Sequence, residues 1–198
     1  ASNKPSAGVS VAVLNVGFAP TISAQPLSRN AISGSNVTFT VSVGGTAPLR
    51  YQWQFNGVSL ANQTNATLPL TGVTTNDSGS YHVTITNLFG SVTSSVALLN
   101  VGFAPAISIQ PTNQTVMAGS TVVLSVGATG SLPLSYQWRF NGANLLGQTN
   151  TALTLSGVTT NNAGNYQVVV TNLYSSVTSS LAVLTVLSPP VIIAQPLG

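Results

Sequence analysis

Two residues hold all the side-chain acid–base chemistry open to this chain near neutral pH: Asp77, its only acid, and His82, its only histidine. General acid–base catalysis needs paired titratable groups, and a serine nucleophile needs a base within hydrogen-bond reach. Asp77 and His82 lie five residues apart around a corner, and no Gly-x-Ser-x-Gly elbow accompanies them. At the matching positions of an internal repeat they become Asn162 and Gln167. Asp77 is therefore read as a turn residue and His82 as an exposed strand residue, with no catalytic role. A calcium site wants several carboxylates and a zinc site wants His or Cys ligands. One acid, one histidine and no cysteine supply neither, so no metal or cofactor is expected.

The cations are Lys4, Arg29, Arg50 and Arg139. They do not cluster, so the net charge of +3 is no basic patch and nucleic acid is not an expected partner. No apolar run reaches about 18 residues, which argues against a membrane span. A Lys–Asn isopeptide bond is closed to the full repeats because Lys4 lies outside them. Charged residues make up 3% of the chain, far below the usual ~25%. Its surface must then be built from Ser, Thr, Asn and Gln, a composition associated with secreted structural proteins and surface adhesins. Few linked protons imply stability nearly flat from mildly acidic to mildly basic pH. Five Asn-x-Ser/Thr sequons begin at Asn36, Asn62, Asn65, Asn76 and Asn113, a number that chance explains in so Asn- and Thr-rich a chain.

The elements are organised around Tyr51-Gln52-Trp53-Gln54-Phe55-Asn56-Gly57, which returns as Tyr136-Gln137-Trp138-Arg139-Phe140-Asn141-Gly142, an offset of 85 residues. Alternating aromatic and polar residues ending in Asn-Gly read as a half-buried strand entering a tight hairpin, because Asn and Gly accept positive φ. Trp53 and Trp138 then lie on the packed face. Around them, 21–25 and 27–32 read as a first strand split at Pro26. Residues 36–43, 58–60, 67–70, 80–87 and 92–101 read as further strands, with 72–79 a loop. Pro69 offers no ladder donor, so its strand is placed at an edge or bulge. Short strands between turn signals, with no helical period, indicate an all-β sandwich.

The period sets the expected domains: a terminal strand of a preceding repeat at 1–16, full repeats at 17–101 and 102–186, and the first strand of a following repeat at 187–198. The chain reads as a window cut from a tandem array. Phe18-Ala19-Pro20 and Phe103-Ala104-Pro105 are the junctions, where proline stiffens the joint and Phe18 and Phe103 are expected to pack between successive domains. Arg50 aligns with Ser135 and Arg139 with Gln54, so these charges do not make a repeated site.

The residues Gly34 to Val41, Trp53, Leu68-Pro69-Leu70, Asp77-Ser78-Gly79-Ser80-Tyr81-His82-Val83, Asn87 and Gly90 resemble the signatures of the immunoglobulin superfamily, of I-set type. The second repeat carries the same resemblance in Val126, Trp138, Leu153-Thr154-Leu155, Asn162 to Val168 and Asn172. It implies disulfide-free, Greek-key sandwiches of seven or eight strands, because the family's cysteine positions fall on Val41 and Val83, and on Val126 and Val168. Losing a disulfide costs ~2–5 kcal/mol, and burying two valines returns roughly 1.5–3 kcal/mol each. Tyr81 and Tyr166 match the family's tyrosine corner. The implied core is thus Trp53, Val41, Val83 and Tyr81, and Trp138, Val126, Val168 and Tyr166.

Such cysteine-free arrays are similar to those of large exported bacterial surface proteins. The resemblance implies a non-enzymatic, extracellular or cell-surface segment forming a rod, stalk or filament, with further copies of itself as partners. Two alternatives stay open: an adhesin or carbohydrate-binding module that meets a cell-surface ligand or glycan, and a spacer of a secreted enzyme. An exposed aromatic strip would favour sugar binding.

Overall fold

The computed structural model describes residues 15–190. Of the terminal strands expected at 1–16 and 187–198, residues 1–14 and 191–198 lie outside the described residues, and Leu187 is the last residue of a strand of the second repeat. Described residues are all-β but for two single turns of 3-10 helix at Thr75–Asp77 and Thr160–Asn162.

In the first repeat the strands are β1 (Thr21–Ala24), β2 (Arg29–Ile32), β3 (Val37–Thr40), β4 (Ser42–Gly44), β5 (Arg50–Phe55), β6 (Val58–Ser59), β7 (Thr67–Leu70), β8 (Gly79–Asn87), β9 (Gly90–Thr93) and β10 (Ala97–Gly102). One layer has the order β2-β10-β8-β5-β6, with β9 also on β8. The other layer consists of the pairs β1-β4 and β3-β7. The second repeat follows the same plan in β11 (Ala106–Ile109), β12 (Gln114–Met117), β13 (Val122–Ser125), β14 (Gly127–Thr129), β15 (Ser135–Phe140), β16 (Ala143–Asn144), β17 (Ala152–Leu155), β18 (Gly164–Thr171), β19 (Ser176–Thr178) and β20 (Ala182–Leu187). There β12 runs parallel to β20, from Gln114 opposite Leu184 to Met117 opposite Leu187. By compactness, residues 30–37 and 71–78 group with those from 100 onward, and the rest of the first repeat forms the other unit.

The aromatic strand forms the centre of each repeat. Trp53 lies opposite Val83, and Trp138 opposite Val168. Each strand enters a hairpin whose two corner residues both have positive φ, 47° and 82° at Asn56-Gly57 and 45° and 86° at Asn141-Gly142. This is the type I′ signature that matches strand twist. The asparagine does more than turn the chain: Asn56 Oδ1 accepts the Ser80 N–H at 2.9 Å, and Asn141 Oδ1 accepts the Asn165 N–H at 2.9 Å.

Three segments differ from their reading as single elements. Residues 36–43 divide at Val41, whose N–H still reaches the β7 side at the Ala66 carbonyl at 3.0 Å, into β3, which pairs with β7, and β4, which pairs with β1. Residues 92–101 divide into β9 and β10 because Ser94 Oγ accepts the Val83 N–H at 3.1 Å and interrupts the ladder. Ser179 does the same to Val168 at 3.0 Å. The loop at 72–79 contains a helical turn, because Asp77 Oδ2 caps it by accepting from Thr74 N at 2.7 Å. Pro69 sits in β7, whose only strand neighbour among the described residues is β3, so its missing donor costs no ladder bond on an outer edge.

Candidate functional site

The residues singled out as core are inside. Trp53, Val83, Trp138 and Val168 are 0% exposed, and Val41, Tyr81, Val126 and Tyr166 are also buried. In the second repeat Val126, Trp138, Tyr166 and Val168 belong to one hydrophobic cluster with Leu124, Leu153 and Leu184. In the first, the Tyr81 ring stacks on Phe39 at 5.0 Å and leans on Phe55 at 4.9 Å. Both indole N–H groups are satisfied, Trp53 Nε1 donating to the Asn65 carbonyl and Trp138 Nε1 to the Asn150 carbonyl, each at 2.9 Å. With their faces in the core, neither tryptophan offers a platform for sugar stacking.

Tyr166 Oη donates to the Asn162 carbonyl at 2.8 Å, closing a corner between strand and preceding turn. Burial raises its phenol above the ordinary value of 10.0. A folded-state pKa above the unfolded one means that the stabilisation is complete below the unfolded pKa and is lost as pH rises through the raised one. Melting midpoints are therefore expected to fall above about pH 10. Tyr166→Phe is expected to flatten that fall, at a cost in stability near neutral pH of roughly 0.5–1.5 kcal/mol for the lost hydrogen bond. Calorimetric scans of both proteins across the alkaline range check it.

Asp77 and His82 take up separate structural positions. The Asp77 carboxylate is a turn cap, and Asn162 performs the same task with Thr159 N at 2.8 Å. That explains why a neutral residue replaces the acid: the cap needs an acceptor oxygen, not a charge. His82 is half-buried rather than exposed, on a central strand opposite Gln54, with its Nδ1 shielded and without a hydrogen-bond partner. Among the described residues, no three His, Cys, Asp or Glu side chains gather in a way that could hold a metal ion.

The most elaborate polar geometry lies at the junctions. Asn87 Nδ2 donates to the carbonyls of Phe18 at 2.7 Å and Thr46 at 2.8 Å, while its Oδ1 accepts from Phe89 N at 2.9 Å. Asn172 repeats this with Phe103 at 2.8 Å and Ser131 at 2.9 Å, and its Oδ1 accepts from Tyr174 N and Ser175 N. Thr46 Oγ1 and Ser131 Oγ accept the N–H groups of Phe18 and Phe103, both at 2.9 Å. Thus the backbone of Phe18 and Phe103 is held, while their rings are 76% and 55% exposed. The rings at the junction glycines are instead Phe89 and Tyr174, which lie where a Cβ on Gly17 or Gly102 would have to be. Pro20 and Pro105 are buried beside this clamp.

Further polar contacts come from residues outside the family signatures: Gln52 and Gln137, Ser94 and Ser179, and Gln25 and Gln110. Gln137 Nε2 bridges the Trp138 and Leu145 carbonyls, both at 2.8 Å, and Gln110 Oε1 accepts from Ser180 N at 3.0 Å. Their identity at an offset of 85 is the signal that could have found them.

An immunoglobulin domain family model matches residues 19–87 and again 104–172. The mouse leucine-rich repeats and immunoglobulin-like domains protein 3 is 27% identical over 142 residues, which are 62% of this chain and 13% of that protein. The human peroxidasin homolog is 28% identical over 170 residues, 79% of this chain and 11% of that protein. This chain thus spans only a small part of either relative. Among solved structures, domains 3–5 of the extracellular part of Drosophila OTK superpose with a TM-score of 0.73 at 21% identity, covering 84% of this chain and 61% of that one. The titin I-band fragment I67–I69 superposes with a TM-score of 0.65 at 22% identity, covering 90% and 69%. At such identities these likenesses concern the fold alone. No described helix is long and apolar enough to cross a membrane.

Proposed function

Because this chain belongs to the immunoglobulin domain family, with two copies in tandem, we propose that it is a non-catalytic structural segment of an extracellular protein. In this reading it forms part of a surface rod, stalk or filament, of the kind found in exported bacterial surface proteins. The observation that carries the reading is the junction clamp. Both repeats fix the residue that enters them through the same asparagine amide, the same hydroxyl and the same glycine-on-ring contact. A flexible spacer has no use for so many bonds at its joints, because each one removes linker freedom that a spacer exploits.

Nearly uncharged faces also lack the repulsion that keeps copies apart, which supports self-association. The test is small-angle scattering and electron microscopy of the purified native protein. A stiff particle adding roughly 35–45 Å per repeat, as strands of this length imply, with chain-to-chain contacts, supports the rod. Freely jointed beads without such contacts overturn it in favour of the spacer.

A further inference from the structure

A cavity opens beside Arg50 in the first repeat. It measures about 500 Å³ and is lined by Pro48, Arg50, Thr86, Asn87 and Leu88. That is within the range of small-ligand sites. Arg50 begins β5 and lies directly opposite Thr86 on β8, so guanidinium and hydroxyl are held on adjacent, paired strands. Leu88 is 79% exposed in the turn after β8, and Pro48 precedes β5 on the other side. Asn87 is wall rather than ligand, since both ends of its amide are already engaged.

The Arg50 guanidinium has no hydrogen-bond or ion-pair partner among the described residues. Arg139, by contrast, is tied to Asn144 Oδ1 at 2.9 Å. The chain cannot supply a side-chain carboxylate to Arg50, because its only acid, Asp77, is committed as the cap of the Thr74 turn. A guanidinium presents a planar fork that matches a carboxylate with two parallel hydrogen bonds. Beside it, Leu88 and Pro48 present carbon. We propose that this cavity binds a carboxylate carried on an aliphatic body, the chemistry of a peptide C-terminus ending in an apolar residue. The second repeat keeps the walls as Pro133, Thr171, Asn172 and Leu173 but has Ser135 in place of the arginine, so it lacks the site and serves as an internal control. The inference is independent of the rod, since a rod, a spacer and an adhesin could each carry it.

The experiment follows the amide and Arg side-chain NMR signals of the isotope-labelled full chain while N-acetyl-leucine is added. Saturable shifts are expected at Arg50 Nε–H and at the Thr86, Asn87 and Leu88 amides, with none at Thr171, Asn172 and Leu173. Arg50→Gln is expected to weaken binding by at least about tenfold, the scale of one charge-assisted pair, with signals elsewhere unchanged. Ser135→Arg is expected to create the same response in the second repeat. Saturable binding of N-acetyl-leucinamide with equal strength would overturn the role of the carboxylate. Equal binding of glucuronate, whose body is polar, would overturn the aliphatic specificity. Absence of saturation, or shifts that survive Arg50→Gln, would overturn the site itself.

Discussion

Trp138→Ala is expected to destabilise the second repeat by about 3–5 kcal/mol, the range for truncating a fully buried large aromatic. The side chain is 0% exposed at the centre of the cluster formed by Val126, Leu153, Tyr166 and Val168. Its removal also leaves the Asn150 carbonyl without the indole N–H, and with it goes an anchor of the segment that leads to β17. Domains are stable by only about 5–15 kcal/mol, so most of the margin disappears. No disulfide holds the repeat together, because the chain has no cysteine. Urea titration followed by far-UV circular dichroism should show a large part of the β signal lost at much lower denaturant. The remaining indole, Trp53, reports the first repeat separately by fluorescence. Trp138→Phe keeps most of the apolar contact and gives up the hydrogen bond, so a smaller loss is expected. A Trp138→Ala midpoint equal to that of the unsubstituted chain would remove this side chain from the centre of the core.

Asn172→Ala is the second substitution with a large expected effect. Its amide makes four hydrogen bonds, to the carbonyls of Phe103 and Ser131 and from the N–H groups of Tyr174 and Ser175. Each is worth about 0.5–1.5 kcal/mol net, and some of the backbone groups released can turn to water, so a loss of roughly 2–3 kcal/mol is expected. The effect should be local as well as global. Hydrogen exchange at Ser131 and Tyr174 should accelerate well beyond what the drop in overall stability explains, because the clamp joins exactly these loops to the entering strand. Asn172→Asp, which keeps the acceptor but loses the two donors, should restore the Tyr174 and Ser175 bonds only. Uniform acceleration throughout the repeat would show that the clamp has no local role.

Both substitutions sit on features that were legible to different degrees. Trp138 could be placed from its neighbours, because alternation of Tyr136, Trp138 and Phe140 with Gln137 and Arg139 has the period of a strand with one buried face. The Asn-Gly corner could be read because its positive φ is a local property of two residues. The repeat of 85 residues fixed the number of sandwiches, since one register of strands occurs twice. Identity of Asn87 with Asn172 marked a turn, yet said nothing of its partners.

Those partners belong to the tertiary structure. Asn172 reaches Phe103 across 69 positions and Ser131 across 41, and Gln110 reaches Ser180 across 70. No periodicity encodes such pairs, because they arise only once the two layers have packed and brought loop beside loop. The same holds for Ser94, whose hydroxyl ends one strand and begins another only where the Val83 amide is presented to it. It holds for Gly102, which is small because the Tyr174 ring occupies the space above it. Arg50 is the clearest case. In the sequence it is one of four scattered cations without a repeat counterpart, and only the pairing of β5 with β8 puts it beside Thr86 and Leu88 without a carboxylate to meet it. Local patterning determines which face of each strand is apolar, since that depends on neighbours two residues away. The polar contacts depend on backbone groups far along the chain, and only the packed sandwich decides which of these are left for a side chain to bind.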